Sequence, residues 1–285
     1  MKAITNEPIR FRNDKYVTPP GTICTSMSHP YFSENRSVEI ATFFEHRFAF
    51  FFWVRWHKKY LAKNYFRKNN PPTLVTLDWH RDLAWPTETQ KTWLDELDID
   101  NNTAISLFCW SSLSHFNDEQ IMAAAYLNLI GDIYVHCRQR IQAKEMEERE
   151  YLDRYGNVHM IRVFADYDEM ERMIMTQKIE NVFFDIDLDY FVLDNPFSTG
   201  GRKPAKKFSY LPKESIKSIL DRERPLIDWI FKRLCGFTIA IEPEHTGGVM
   251  RAAKYLKLID KIYFKPSMFT NCGSNWDGRG NWKHL

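Results

Sequence analysis

Three things are scarce or missing in this 285-residue sequence, and each narrows what the chain can be. The first is a surplus of either charge. Lys and Arg total 39 and Asp and Glu total 37, for a formal net charge of +2. Proteins that grip phosphate backbones carry a strongly basic stripe, and acidic disordered chains sit well below neutrality, so neither class is indicated. The second is a long apolar run. The densest, residues 48–54, is closed off by Arg47 and Arg55. It falls far short of the roughly 18 to 20 residues that span a bilayer. The first residues, MKAITNEPIRFRNDKYVTPPG, contain no apolar signal-peptide stretch. The third is paired cysteine. Cys24, Cys109, Cys137, Cys235 and Cys272 are odd in number and widely spaced. They form no disulfide framework and no zinc knuckle, and a reducing cytoplasm is the expected compartment. Internal repeats and low-complexity tracts are absent as well. What is present is 44% hydrophobic and 15% aromatic residues, enough to bury a substantial core.

Along the chain, an irregular lead-in (residues 1–36) precedes a buried strand at 37–44 (SVEIATFF). Residues 47–65 read as a helix stopped by Pro71-Pro72, and 73–77 (TLVTL) as a central strand. Residues 103–109 (TAISLFC) read as another strand. Residues 118–130 read as a helix with Asn117 or Asp118 as N-cap, and 133–137 as a strand. The segment 138–180 is charged and poor in a core pattern. It reads as an insertion holding a hairpin at 150–164, turning near Gly156-Asn157, and a helix at 168–177. A strand begins at 181–184 (NVFF), and 198–206 is a loop. Residues 213–234 are helical with a kink or break at Pro225, 237–241 (FTIAI) is a strand, and 249–263 a closing helix. Strands alternating with helices predict one α/β domain over residues 1–285, with a largely parallel sheet. Ligands of such sheets collect at the carboxyl ends of the strands.

Those ends are rich in chemistry. TLVTL runs into Asp78-Trp79-His80-Arg81-Asp82. Residues two apart on a strand face the same side, so Asp78 and His80 converge and Asp82 curls back over the strand end. Carboxylate with imidazole suits Mn or Zn; the competing reading is that Asp78 and Asp82 cap the next helix or pair with Arg81. NVFF runs into Asp185-Ile186-Asp187-Leu188-Asp189. Asp185 and Asp187 share a face, with Asp189 beyond, and two carboxylates at an apolar strand end call for a cation between them. Otherwise they are turn or cap residues. FTIAI runs into Glu242-Pro243-Glu244-His245-Thr246-Gly247-Gly248. Glu242 either binds metal or receives a cationic substrate, because a carboxylate matches a guanidinium fork. Glu244 reads as a structural partner of Lys or Arg. His46 stands at a strand-to-helix switch, as a further metal ligand or as a structural histidine. His136, inside an apolar strand, reads as a core histidine. The aromatic stretch 48–56 reads as a buried helix beneath the site.

Taken in order, these segments resemble the arginase/agmatinase (ureohydrolase) superfamily. That family orders its ligands as a His at a strand-to-helix turn, then D-x-H-x-D, D-x-D and a substrate-side Glu. The resemblance covers residues 38–261. More narrowly, EHRFAFFFW, LDWHRD, DIDLDYF and IEPEHTGG resemble a branch some of whose members are described as peptide arginases, which convert Arg side chains within peptides to ornithine. The resemblance implies a three-layer arginase/deacetylase-like fold, with a largely parallel central sheet flanked by helices. It implies two divalent ions, Mn2+ by expectation, held by His46, Asp78, His80, Asp82, Asp185 and Asp187. Asp78 and Asp185 would span both ions, His46 and Asp82 would serve one, and His80 and Asp187 the other. The implied reaction hydrolyses a guanidino C–N bond and releases urea and an amine. Glu242 would orient the guanidinium with His245 nearby, Asp82 would also hydrogen-bond the attacking water, and His115 or His245 would carry the proton to the leaving amine. The implied partner is a guanidino small molecule or an Arg-containing peptide, and a homo-oligomer is compatible. The sequence departs from the family in two places. His46 lacks a surrounding Gly-Gly-Asp-His-Ser, and Leu188-Asp189-Tyr190 follows Asp187 where x-x-D-P is usual.

Three alternatives compete. Deacetylases of the same superfamily keep one zinc and use an adjacent His-His pair, and this sequence has no His-His dipeptide. Metallophosphoesterases add Gly-Asp and Gly-Asn-His blocks, which are not found in a suitable place. A non-catalytic metal-binding interaction protein on a degenerate form of this fold is opposed by the full ligand inventory, because closely packed carboxylates are destabilising when their metal site is empty.

Overall fold

Apolar runs with no polar face make strands buried on both sides, and such strands form the centre of this fold. The computed structural model describes residues 12–32, 36–63, 70–139, 146–194, 196, 207–265, 267–269 and 281–282. In chain order the elements are β1 (Ile23–Ser28), β2 (Ser37–Phe43), α1 (Ala49–Ala62), β3 (Thr73–Asp78), α2 (Glu88–Glu96), α3 (Asn102–Ser111) and α4 (Gln120–Tyr126). Then come β4 (Ile133–Cys137), β5 (Glu147–Leu152), β6 (Val158–Phe164), α5 (Tyr167–Met175), β7 (Val182–Asp187), β8 (Val192–Asp194) and β9 (Ser209–Tyr210). The last are α6 (Lys213–Ile219), α7 (Pro225–Lys232), β10 (Leu234–Ala240), α8 (Pro243–Thr246), α9 (Val249–Tyr263), β11 (Phe264–Lys265) and β12 (Asn281–Trp282).

Eight strands form one sheet in the order β1-β2-β10-β7-β3-β4-β6-β5. The inner six are parallel, while β1 and β5 pair antiparallel at the two edges. The fold is therefore α/β with a mostly parallel sheet. From β3 the chain steps to β4 on one side, and later returns as β7 on the other. The strand order thus reverses at β3, and the crevice above such a switch point is where these sheets take ligands.

Strand residues alternate between faces, and each face carries a helical layer. Ala41, Leu74, Phe183 and Cys235 meet α1, α3 and α4 on one side. Ile40, Val75, Phe184 and Phe237 meet α5, α6, α7 and α9 on the other. The aromatic stretch is α1, fully buried: Phe50, Phe51, Phe52 and Trp53 have no accessible surface. Gly236 on β10 makes room for it, since a Cβ there would lie 2.2 Å from Trp56. Gly236→Ala should therefore overpack this seam, at a cost of about 1–3 kcal/mol, read as a lower urea midpoint. An unchanged midpoint would mean that α1 can move away freely.

Several sequence expectations need correction. Residues 103–109 are helical, within α3, and not a strand. The Asn101 side chain accepts from the backbone N–H groups of Thr103 and Ala104, and this cap overrides the β-branched residues that follow. The helix expected at 118–130 is confined to α4, and its N-cap is Glu119 without a side-chain cap bond. The helix expected at 213–234 is two helices: Pro225 occupies the first turn of α7, and Leu234 already belongs to β10. The charged segment 138–180 is built into the sheet, because β6 pairs with β4 and β5 closes the edge. β1, inside the lead-in, pairs with β2. α2 goes unread in the sequence; Thr87 and Gln90 start it with a reciprocal capping box. The loop expected at 198–206 lies outside the described residues. Among those described, no helix is long and apolar enough to cross a membrane.

Candidate metal centre

β2, β10, β7 and β3 lie side by side, so their carboxyl ends meet. His46 opens a 3-10 turn (His46–Phe48) just after β2. Asp78 ends β3 and Asp187 ends β7. Asp189 follows in a second 3-10 turn (Leu188–Phe191), held by its own N–H donating to Asp187 Oδ1 at 3.0 Å. Glu242 lies just past β10. His46, Asp78, Asp82, Asp187, Asp189 and Glu242 are all buried.

Their polar atoms converge. His46 Nδ1 lies 2.9 Å from Asp82 Oδ2, 3.3 Å from Asp187 Oδ2 and 3.5 Å from Asp78 Oδ2. His80 Nδ1 lies 2.9 Å from Asp189 Oδ2. Yet His46 Nδ1, Asp78 Oδ2 and Asp189 Oδ2 are buried without a partner in hydrogen-bonding geometry. Close approach with lone pairs that do not meet a hydrogen is the geometry of ligands aimed at a common point. Three groups have this character: His46 with Asp78 and Asp82, His46 with Asp187 and Glu242, and Asp78 with His80 and Asp189. Asp78 belongs to two of them.

Asp185, expected among the ligands, occupies a different place. It is flanked in register by Thr76 of β3 and Thr238 of β10. Thr238 Oγ1 donates to its Oδ1 at 2.5 Å, and Thr76 Oγ1 donates to its Oδ2 at 2.7 Å. His46 Nε2 lies 2.8 Å from the same Oδ2. With both hydroxyls donating to Asp185, a proton on Nε2 completes this set of contacts, and in the neutral imidazole Nδ1 then turns its lone pair to the cluster. Asp185 thus orients His46 from behind. Asp189 stands in the cluster where Asp185 was expected. Sequence spacing missed it because D-I-D-L-D offers the same alternation in two registers. Gln120, wholly buried on α4, donates from Nε2 to Asp82 Oδ2 at 2.8 Å. Its only sequence signal is one amide on an otherwise apolar helix.

The electrostatics are those of crowded buried acids. Burial, then Asp82, Asp189 and Asp187, push the Asp78 carboxyl well above its ordinary pKa. Burial and then Asp189 push Asp187 up to about 7. Burial, then Asp187 and Asp189, raise Glu242 well above the usual range. Burial opposes a charge on either histidine, but the surrounding acids together outweigh it: Asp185 with Asp187 and Asp82 at His46, and Asp189 with Asp82 and Asp187 at His80, lifting that imidazole to about 9. Burial pushes Asp189 up, but His80, His245 and the Trp79 N–H together hold it low. Two protonated imidazoles would offset only two of the six buried carboxylates. A metal cation suits the oxygen-rich remainder.

A cavity of about 530 Å³ opens onto this cluster, lined in part by His80, Asp82, Asn117, Asp118, Glu242 and His245. Non-glycine residues with positive φ gather here: Asp82 (50°), Asn117 (58°) and Glu242 (36°). Backbone strain of this kind, about 1–3 kcal/mol per residue, collects at functional sites. Glu242 Oε1 accepts the His46 N–H at 3.1 Å, which leaves Oε2 for another donor. The His245 ring packs edge-on against His80 with centroids 5.5 Å apart, and its Nδ1 is buried and unpartnered among the described residues. His115, the other expected proton carrier, is exposed against Phe116 and follows α3 instead of a strand; it is not among the lining residues. Glu244 is exposed. His136 is a core histidine: its Nδ1 meets the Tyr190 hydroxyl at 2.8 Å, and burial lowers its pKa to about 3.

No protein-family model matches this sequence, and no curated protein matches it. What the structure establishes is a buried cluster around His46, Asp78, Asp82 and Asp187 that could hold a metal ion.

Proposed function

We propose that this chain is a metal-dependent hydrolase that cleaves a guanidino C–N bond, converting an arginine-type side chain to an amine and urea. The observation that carries the reading is the sharing of Asp78 between two ligand groups, one with His46 and Asp82 and one with His80 and Asp189. Two ions, Mn2+ by preference, would be held there with Asp187 beside His46. The ureohydrolase-like order of the motifs supports the same assignment, with D-x-D read as Asp187-Leu188-Asp189. Bound divalent ions supply a Lewis acid and lower the pKa of water.

The residues of the chain do the rest. Glu242, fixed by the His46 N–H, receives the planar guanidinium through its remaining oxygen. The guanidinium charge in turn keeps that buried carboxylate ionised. Asp82, held by Gln120, orients the attacking water. Water adds to the guanidino carbon, and the C–N bond to the side chain breaks with its electron pair passing to nitrogen. Protonated His245 gives that nitrogen a proton, while the water gives up both of its own, the first to Asp82, as its oxygen becomes the urea carbonyl. One of these restores His245 and the other completes the ammonium, so the amine leaves beside neutral urea. General acid help of this kind is worth about 10²- to 10⁴-fold.

The test is metal quantification coupled to urea release over free arginine, agmatine and Arg-containing peptides. The expected result is Mn-dependent urea from at least one guanidine. Tight metal binding without urea from any of them would overturn the reading.

A further inference from the structure

The cavity is lined in part by Gln139 and Arg149, from the charged segment that the ligand motifs leave unused. The end of β3 and strand β5 are tied together by a two-pronged ion pair: Arg81 Nη1 and Nη2 donate to Glu147 Oε2 and Oε1 at 2.7 and 2.8 Å. Both oxygens of Glu147 are thereby taken. Two residues along β5, Arg149 faces the same cavity as His80, Asp82 and Glu242. Its guanidinium lies over the exposed ring of Trp85, 5.2 Å from the centroid. Trp85 is itself propped edge-on by Tyr151, with centroids 4.8 Å apart. Stacking on an aromatic face holds a guanidinium plane in place and leaves its edge N–H groups free to bind. Among the described residues, Arg149 forms no ion pair. Burial, and then the neighbouring Arg81, lower its pKa, while the already committed Glu147 is the one acid supporting its charge. Arg81 and Asp118 also line the cavity; Arg81 is paired with Glu147, and the Oδ1 of Asp118 is buried and unpartnered among the described residues, which suits an N–H donor and repels an anion.

One cavity is therefore lined both by acids that suit a cation and by the exposed guanidinium of Arg149, which lies over Trp85 and has no ion pair among the described residues. We infer that Arg149 is a specificity-determining residue that binds a carboxylate on the substrate, so the preferred substrate carries both a guanidinium and a carboxylate. This rests on the guanidine reading above for the cationic end alone. The carboxylate is either the main-chain carboxylate of a free or C-terminal arginine, or the acidic side chain of a neighbouring residue in a peptide.

The test uses the Mn-loaded protein and three probes: Nα-acetyl-arginine, its neutral amide, and acetyl-Asp-Arg-amide. Binding is read by calorimetry and urea release is read separately. Charge-assisted hydrogen bonds of this type predict about 10- to 100-fold tighter binding of at least one carboxylate probe than of the amide. Arg149→Leu should bring that ratio near one, and Arg149→Lys should restore part of it. Preference for acetyl-arginine assigns the main-chain carboxylate, and preference for the Asp-containing probe assigns the side chain. Equal binding of all three by the wild-type protein, or a preference that survives Arg149→Leu, would overturn the inference. A carboxylate preference without urea from any probe would leave Arg149's role standing and sink the hydrolase reading instead.

Discussion

An Asp78→Asn variant is expected to lose metal at both ion positions while becoming more stable in the metal-free form. The two effects have opposite signs for one reason. Asp78 is the carboxylate common to the His46–Asp82 and His80–Asp189 groups, so its charge would serve both of the proposed ions. Without a cation, the same charge is buried beside Asp82, Asp189 and Asp187, and it destabilises the fold. In the wild type, metal should raise the unfolding midpoint by mass action, since the ions bind the folded state. In Asp78→Asn that rise should vanish and urea release should fall with it, by more than the roughly 10- to 100-fold seen when a residue merely supporting a ligand is changed. Proton linkage gives a second signature. Asp78, Asp187 and Glu242 hold protons more tightly folded than unfolded. The metal-free wild type should accordingly lose stability as pH rises from about 4, where unfolded carboxylates titrate, through the value of about 7 for Asp187. Asp78→Asn should flatten that fall. Calorimetric unfolding with and without chelator reads all of this; a metal-induced stabilisation equal to wild type would show that Asp78 is no ligand.

The second large effect separates Asp189 from Asp185. Asp189→Asn removes a member of the Asp78–His80 group, so metal content should drop by one ion per chain and urea release should collapse. Asp185→Asn should keep the full metal content with affinity lowered about 10- to 100-fold, as expected when the residue orienting a ligand is weakened. The reason is that Asp185 receives Thr76, Thr238 and the Nε2 proton of His46, and reaches the cluster only through that imidazole. Elemental analysis after dialysis against limiting metal distinguishes the two. The reverse pattern, with an ion lost in Asp185→Asn and both retained in Asp189→Asn, would return Asp185 to the metal.

Much of this centre is legible in the chain because strand alternation is local. TLVTL followed by D-x-H-x-D requires Asp78 and His80 to leave the strand on one side, whatever the neighbours are. An apolar run ending in Glu242 likewise requires a carboxylate at a strand end. His46 at the strand-to-helix switch is readable for the same reason. Other features are settled by partners distant in sequence. D-I-D-L-D carries the same spacing in either register, and the choice rests on Thr76 and Thr238 arriving beside Asp185 from adjacent strands while the 3-10 turn swings Asp189 to His80. A strand pattern at 103–109 yields to one asparagine cap and to packing against α1. The hairpin and helix of the charged segment after residue 138 are legible in its sequence, but its place in the sheet is not, because that rests on the pairing of β6 with β4. The sequence by itself determined which strand ends carry the chelating side chains, since that depends on a two-residue period. Only the tertiary structure decided which carboxylate supports and which converges, and that an edge hairpin brings Arg149 to the cavity mouth, since both depend on strand register between segments far apart in the chain.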